Sequence, residues 1–210
     1  MVVTVARNAT IETDVKPATS AERILATALD LFAVKGYDAT AVREICEAAG
    51  ITKPTLYHFY GSKDGVLRAL VSTGFERFRR LVDSSLATPG SFRERTKIMA
   101  RRLFESARTQ PLFWRFMHSI MWAPPGTAPQ TASCEEFYKG VVGVLAAAAE
   151  AAVKQGELAR GPSDARMLVL MGAIGEATTG YVISGKPELT PALADRLIDA
   201  ILDGWVVRGS

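Results

Sequence analysis

Apolar positions recur along the chain at three- and four-residue intervals, with no convincing stretch of alternation, so the pattern predicts helices throughout and no strand. Ile24, Leu25, Ala28, Leu31 and Phe32 form the first stripe, opened by Thr19 and Glu22 in capping-box spacing. After a turn at Gly36 and Tyr37, Thr40 is expected to cap a second helix whose inner face is Val42, Ile45, Cys46 and Ala49. Gly50 closes that helix in the left-handed conformation open to glycine, and Ile51 inserts as the buried residue of the turn. Thr52 caps a third helix, with Pro54 in its first turn, where a missing amide hydrogen costs nothing. Leu56 and Phe59 are expected to pack inward. Lys53, Thr55, Tyr57 and His58 then occupy the other faces of a helix barely two turns long.

Ser62 caps a long helix from 63 to about 86, with Val66, Leu67, Leu70, Phe75, Phe78 and Leu81 inward, stopped by Thr88, Pro89 and Gly90. Ser91 and Glu94 form a second capping box for a helix to about 107, and Pro111 starts another that ends before Ala123, Pro124 and Pro125. A loop rich in proline, glycine and threonine covers 123–132. Two long apolar segments follow at 134–155 and 163–184, then an amphipathic helix from 191 to about 207.

Two short helices joined by a glycine turn make a DNA-reading device. Donors, a cation and a flat aromatic at the start of the second helix suit the major groove, where base edges and phosphates accept hydrogen bonds. The string REICEAAGITKPTLYHFYGSKDGVL, preceded by GYDAT, resembles the DNA-binding region of tetracycline-repressor-type (TetR) transcriptional regulators, whose usual wording is T-x-x-x-I-A-x-x-A-G-V-S-x-G-x-L-Y-x-Y-F-x-S-K-x-x-L. The resemblance covers roughly residues 20–69. Cys46 departs from the usual alanine at the helix crossing, and Pro54 stands where glycine is common. By this resemblance Thr40, Arg43, Thr52, Lys53, Thr55, Tyr57, His58 and Lys63 match positions that contact phosphates or bases in relatives. Lys63, beginning a helix whose dipole it opposes, hints at a phosphate partner.

Composition narrows the remaining choices. The 210 residues, 48% of them hydrophobic, can bury a sizeable core. Net charge is only +3, and acids balance bases over the first 70 residues, so bulk charge does not argue for DNA. The strongest basic excess, from Arg77 to Arg115, reads as a solvated helix face. Cys46 and Cys134 are lone and far apart, and there are only two histidines, so neither a metal site nor a disulfide framework is expected; a reducing cytoplasm fits. Residues 1–18 lack the apolar run of a signal peptide and read as a flexible arm. A membrane is not expected as a partner, because the segment 163–184 would place Glu176 at the bilayer centre.

Small residues at Gly140, Gly143, Ala147 and Ala151, and at Gly172, Gly175 and Gly180, would let helices of two subunits approach closely in a four-helix dimer interface. TetR-type proteins are similar in dimerising through their last helices. The aromatic and methionine density of QPLFWRFMHSIMW, taken alone, packs a core; the resemblance instead implies an effector cavity among Leu103, Phe104, Phe113, Phe116, Met117, His118, Met121, Phe137, Tyr138 and Tyr181. The expectation is therefore an all-α chain with a helix-turn-helix DNA-binding domain at 19–62 and an effector-binding and dimerisation domain at 63–210. It would be a homodimeric regulator, most simply a repressor released from palindromic DNA by a small apolar or aromatic effector, with no cofactor. An enzyme would need a convergent nucleophile and base, which the two histidines do not supply, and an architectural protein would need basic surface on many faces.

Overall fold

The computed structural model describes residues 19–121 and 133–204, with side chains after the gap described from Lys139 onward. The expected arm at 1–18, the loop at 123–132, the end of the last helix beyond 204 and the side chains of Phe137 and Tyr138 lie outside the described residues. Within them the architecture is all-α, with helices α1 (Ser20–Lys35), α2 (Val42–Ala49), α3 (Lys53–Tyr60), α4 (Lys63–Leu86), α5 (Phe92–Thr109), α6 (Pro111–Met121), α7 (Ser133–Lys154), α8 (Ser163–Ser184) and α9 (Pro191–Leu202).

Local chemistry sets most of these boundaries. Thr19 and Glu22 close a reciprocal capping box on α1, and Ser91 and Glu94 do so on α5. Gly50 closes α2 at φ 63°, ψ 44°, the left-handed cap. The hydroxyls of Thr52, Ser62 and Thr190 accept from amides in the first turns of α3, α4 and α9. One expected cap is different. Thr40 is almost fully buried, and its hydroxyl donates to the Gly36 carbonyl at 2.8 Å. Ala41 takes the cap position instead, its amide donating to the Glu44 carboxylate at 2.9 Å.

Two cores are stacked along α4. The first gathers Ile24, Ala28 and Phe32 of α1, Ile45 and Cys46 of α2, Leu56 of α3 and the stretch of α4 from Val66 to Phe75. The second joins Val82 and Leu86 of α4 to the inner faces of α5, α7, α8 and α9. The expected domain boundary at 62/63 thus falls at the start of a helix that serves both cores. Phe116 and Met117 of α6 reach down into the first core, where Phe116 stacks on Phe32 at 6.2 Å between centroids.

The basic stretch is only partly a solvated face. Arg93 and Lys97 on α5 both hold Asp199, Arg93 also holds Asp203, and Arg101 holds Asp195, so the helix is laced to α9. Lys97 and Arg93 donate hydrogen bonds that keep the Asp199 carboxyl below its ordinary range. Arg79, Arg80 and Arg108 pair within their own helices, as a solvated face does.

Candidate nucleic-acid interface and the cavity behind it

α3 rests on the first core through Leu56, which is fully buried, and through the Tyr60 phenol, which donates to the Ala21 carbonyl of α1 at 2.9 Å. With those two anchors inward, Thr52, Lys53, Tyr57 and His58 stand exposed and Thr55 is half-buried, its hydroxyl 2.8 Å from that of Thr52. Phe59 is 46% exposed beside the 47% exposed Tyr57, so it joins the outer surface rather than the core. A helix of two turns buries one narrow stripe, and Leu56 with Tyr60 already fills it. Arg43 is exposed on α2, 3.6 Å from the Glu47 carboxylate.

Thr40 and Lys63, expected to face DNA, are placed otherwise. Thr40 is spent inside the turn as described, and the Lys63 ammonium donates to the carbonyls of Tyr37 and Thr40 at 2.9 and 3.0 Å while lying 4.2 Å from the centre of the Tyr37 ring. The Tyr37 phenol in turn donates to Asp64 at 2.8 Å, and burial, followed by that hydrogen bond, pushes its pKa up to about 12. The start of α4 is thereby tied to the turn before α2, which fixes the two helices of the reading unit against each other. Gly65 completes the joint: a Cβ there would stand 1.7 Å from the Tyr60 carbonyl oxygen, so only glycine lets α4 cross the end of α3. Nothing in the spacing of the sequence singled out this glycine, because its need arises from the crossing.

Behind the reading unit lies a cavity of about 610 Å³ between α4, α6, α7 and α8. Of the expected effector residues, Phe113, Met117, His118 and Met121 line it. Leu103 and Phe104 do not: they face the second core, fully enclosed between α5 and its neighbours. Phe116 belongs to the first core and does not line the cavity, and Tyr181 packs against the second core. The lining also includes Gly74, Phe75, Phe78 and Trp114, Val141 and Val142 of α7, and a run of α8 from Leu168 to Val182 containing Glu176 and Thr179. Gly172 and Gly175, expected at a dimer interface, line the cavity, and a Cβ on either would meet nothing within 4 Å. Gly180 is small for another reason, since a Cβ there would lie 2.7 Å from the Lys186 carbonyl oxygen. Gly140, Gly143 and Ala147 are exposed along α7 and Ala151 is half-buried. α8 is long and apolar enough to cross a membrane by length and composition. Among the described residues no group of three or more potential metal ligands occurs.

Residues 24–70 match the family described as bacterial regulatory proteins, tetR family. Those residues hold most of the first core, which continues beyond them through Val71 and Phe75 to Phe116 and Met117. The HTH-type transcriptional repressor KstR2 of Rhodococcus jostii (strain RHA1) is 42% identical over 67 residues, which are 30% of this chain and 33% of the repressor. The match therefore spans about a third of that relative's length. A TetR family transcription regulator from Marinobacter aquaeolei VT8 superposes over 90% of this chain and 96% of its own with a TM-score of 0.74 at 19% identity. The regulator FadR from Bacillus subtilis, solved with stearoyl-CoA, covers 87% of this chain and 97% of its own at 0.72 and 18%. At such identities the structural likeness is one of fold.

Proposed function

From a chain that belongs, through residues 24–70, to the tetR family of bacterial transcriptional regulators, we propose a repressor that binds a palindromic operator as a homodimer and releases it when a small apolar or aromatic effector fills the cavity. The observation that carries this reading is the two-sidedness of α6. Phe113, Met117 and Met121 border the cavity, while Phe116 on the same helix stacks on Phe32 of α1 inside the DNA-reading unit. An occupant that shifts α6, or α4 beneath it through the tight contact of Gly74 with Phe113, moves the reading unit as a body. A coupling of about 1–3 kcal/mol changes operator affinity roughly 5–150-fold.

Thr52, Lys53, Thr55, Tyr57 and His58 are the groups we assign to base and phosphate contact, with Arg43 on the adjoining helix. Thr40 and Lys63 act by holding that surface in place. A two-fold dimer would set two such surfaces about 34–36 Å apart, or a multiple of that, on one side of the duplex. The exposed apolar side chains of α8, Val169 and Ile183 at 55% and 68% exposure, together with the small exposed residues of α7, support a partner copy on that side. The FadR neighbour solved with stearoyl-CoA supports apolar chains as a ligand type that this fold can hold.

Selection of bound duplexes from a random pool, followed by gel-shift assays, tests the reading. A palindrome should be enriched, and Tyr57→Ala should lose retention while keeping the native sedimentation coefficient. Enrichment of no palindrome, or undiminished retention by the variant, contradicts it.

A further inference from the structure

The cavity's charge pattern goes beyond an apolar or aromatic effector. Its walls are aromatic on one side, Phe75 and Phe78 from α4 and Phe113 and Trp114 from α6. Its only acidic or basic side chain besides His118, among the described lining residues, is Glu176 of α8. That carboxylate is exposed in the single chain, and no described residue forms a hydrogen bond or ion pair with it. No lysine or arginine lines the space, and residues 122–138, whatever their position, contain none.

Resting on the effector-cavity reading, we infer that this cavity selects a lipophilic organic cation: an apolar body bearing one ammonium group. Two independent features of the wall favour positive charge. Ring faces attract a cation through their quadrupole, most strongly where water is excluded, and the Glu176 carboxylate supplies a counter-charge at the rim. An anionic head of the same size meets neither, and is repelled by Glu176. A neutral apolar body gains only the burial of its surface. The glycines shape the same space: Gly172 and Gly175 withhold side chains from a wall where a Cβ would touch nothing, leaving room beside Glu176.

Isothermal titration of the full-length protein with decylammonium, decanol and decanoate, each below its micelle concentration at pH 7.5, separates the possibilities. Decylammonium should bind about tenfold more tightly than decanol, and decanoate more weakly than decanol. Glu176→Gln should reduce the decylammonium advantage over decanoate several-fold while leaving decanol binding unchanged. Gly175→Leu, which grows into the cavity without a backbone clash, should abolish binding of all three. Equal or tighter binding of decanoate, or an unaltered preference in Glu176→Gln, overturns the assignment of ligand charge while the cavity reading stands. Decanol and decylammonium binding to Gly175→Leu as to the native chain, or no binding of any of the three to the native chain, overturns the cavity reading and this inference with it.

Discussion

Single residues in the reading unit divide into those that meet solvent and those that hold the surface rigid. Leu56 and Tyr60 anchor α3, and Lys63 bridges two carbonyls of the preceding turn, so Tyr57, His58 and Lys53 project from a fixed base. Preorganisation of this kind lowers the ordering cost that flexible side chains impose on binding. Gly65 is the most constrained position in the unit. Gly65→Ala would normally help a helix by about 1 kcal/mol, but here the added methyl collides with the Tyr60 carbonyl and forces α3 and α4 apart. We expect a net loss of about 2 kcal/mol or more, read as a lower melting temperature and weakened operator retention. A variant as stable as the native chain would refute this account of the crossing. Cys46 is buried at the helix crossing and its thiol is pushed up by that burial, so it serves as a small apolar filler.

Among the elements, α6 and α9 join parts of the chain that are distant in sequence. α6 borders the cavity and also meets the first core, where Phe116 stacks its ring on Phe32 of α1. Phe116→Leu keeps an apolar group there but removes the ring pair, at a cost of about 1 kcal/mol. The variant should still bind operator, yet need more effector for release at unchanged effector affinity; an unchanged release curve would remove α6 from the coupling route. α9 is held to α5 by the acids Asp195, Asp199 and Asp203. Since the folded-state pKa of Asp199 is lowered by Lys97 and Arg93, its contribution to stability is full above the ordinary carboxylate value. It fades as the pH falls through and below that value. Thermal unfolding followed from pH 7 to pH 3 should therefore show a smaller acid-induced loss in Asp199→Asn than in the native chain. A parallel decline in both would show that the ion pairs contribute nothing measurable, as exposed pairs often do.

At the scale of the whole molecule, two cores share α4, and the outward side of α8 carries Ile183 at 68% exposure. Ile183→Asp adds a charge to an already exposed position, so a lone chain tolerates it, whereas a dimer that buries the position does not. Sedimentation should register a shift toward the single-chain mass with unchanged helicity, and operator retention should fall with it. A dimer of native stability in this variant would place the partner elsewhere. The local grammar of the chain was legible without coordinates: both capping boxes, the Gly50 closure, the Thr52 and Ser62 caps and the helix-turn-helix itself. Each of the caps depends on neighbours within four residues, whose hydrogen bonds are decided by spacing along the chain, and the helix-turn-helix showed itself through its resemblance to a known family. What only the tertiary structure decided is which side of a helix meets which partner. Phe59 faces out, Thr40 and Lys63 turn in, Phe116 leaves the cavity for the reading unit, and Gly172 and Gly175 border a cavity. Periodicity marks a face as apolar, but cores, cavities and subunit contacts all draw on the same apolar residues, and only packing between distant segments tells them apart.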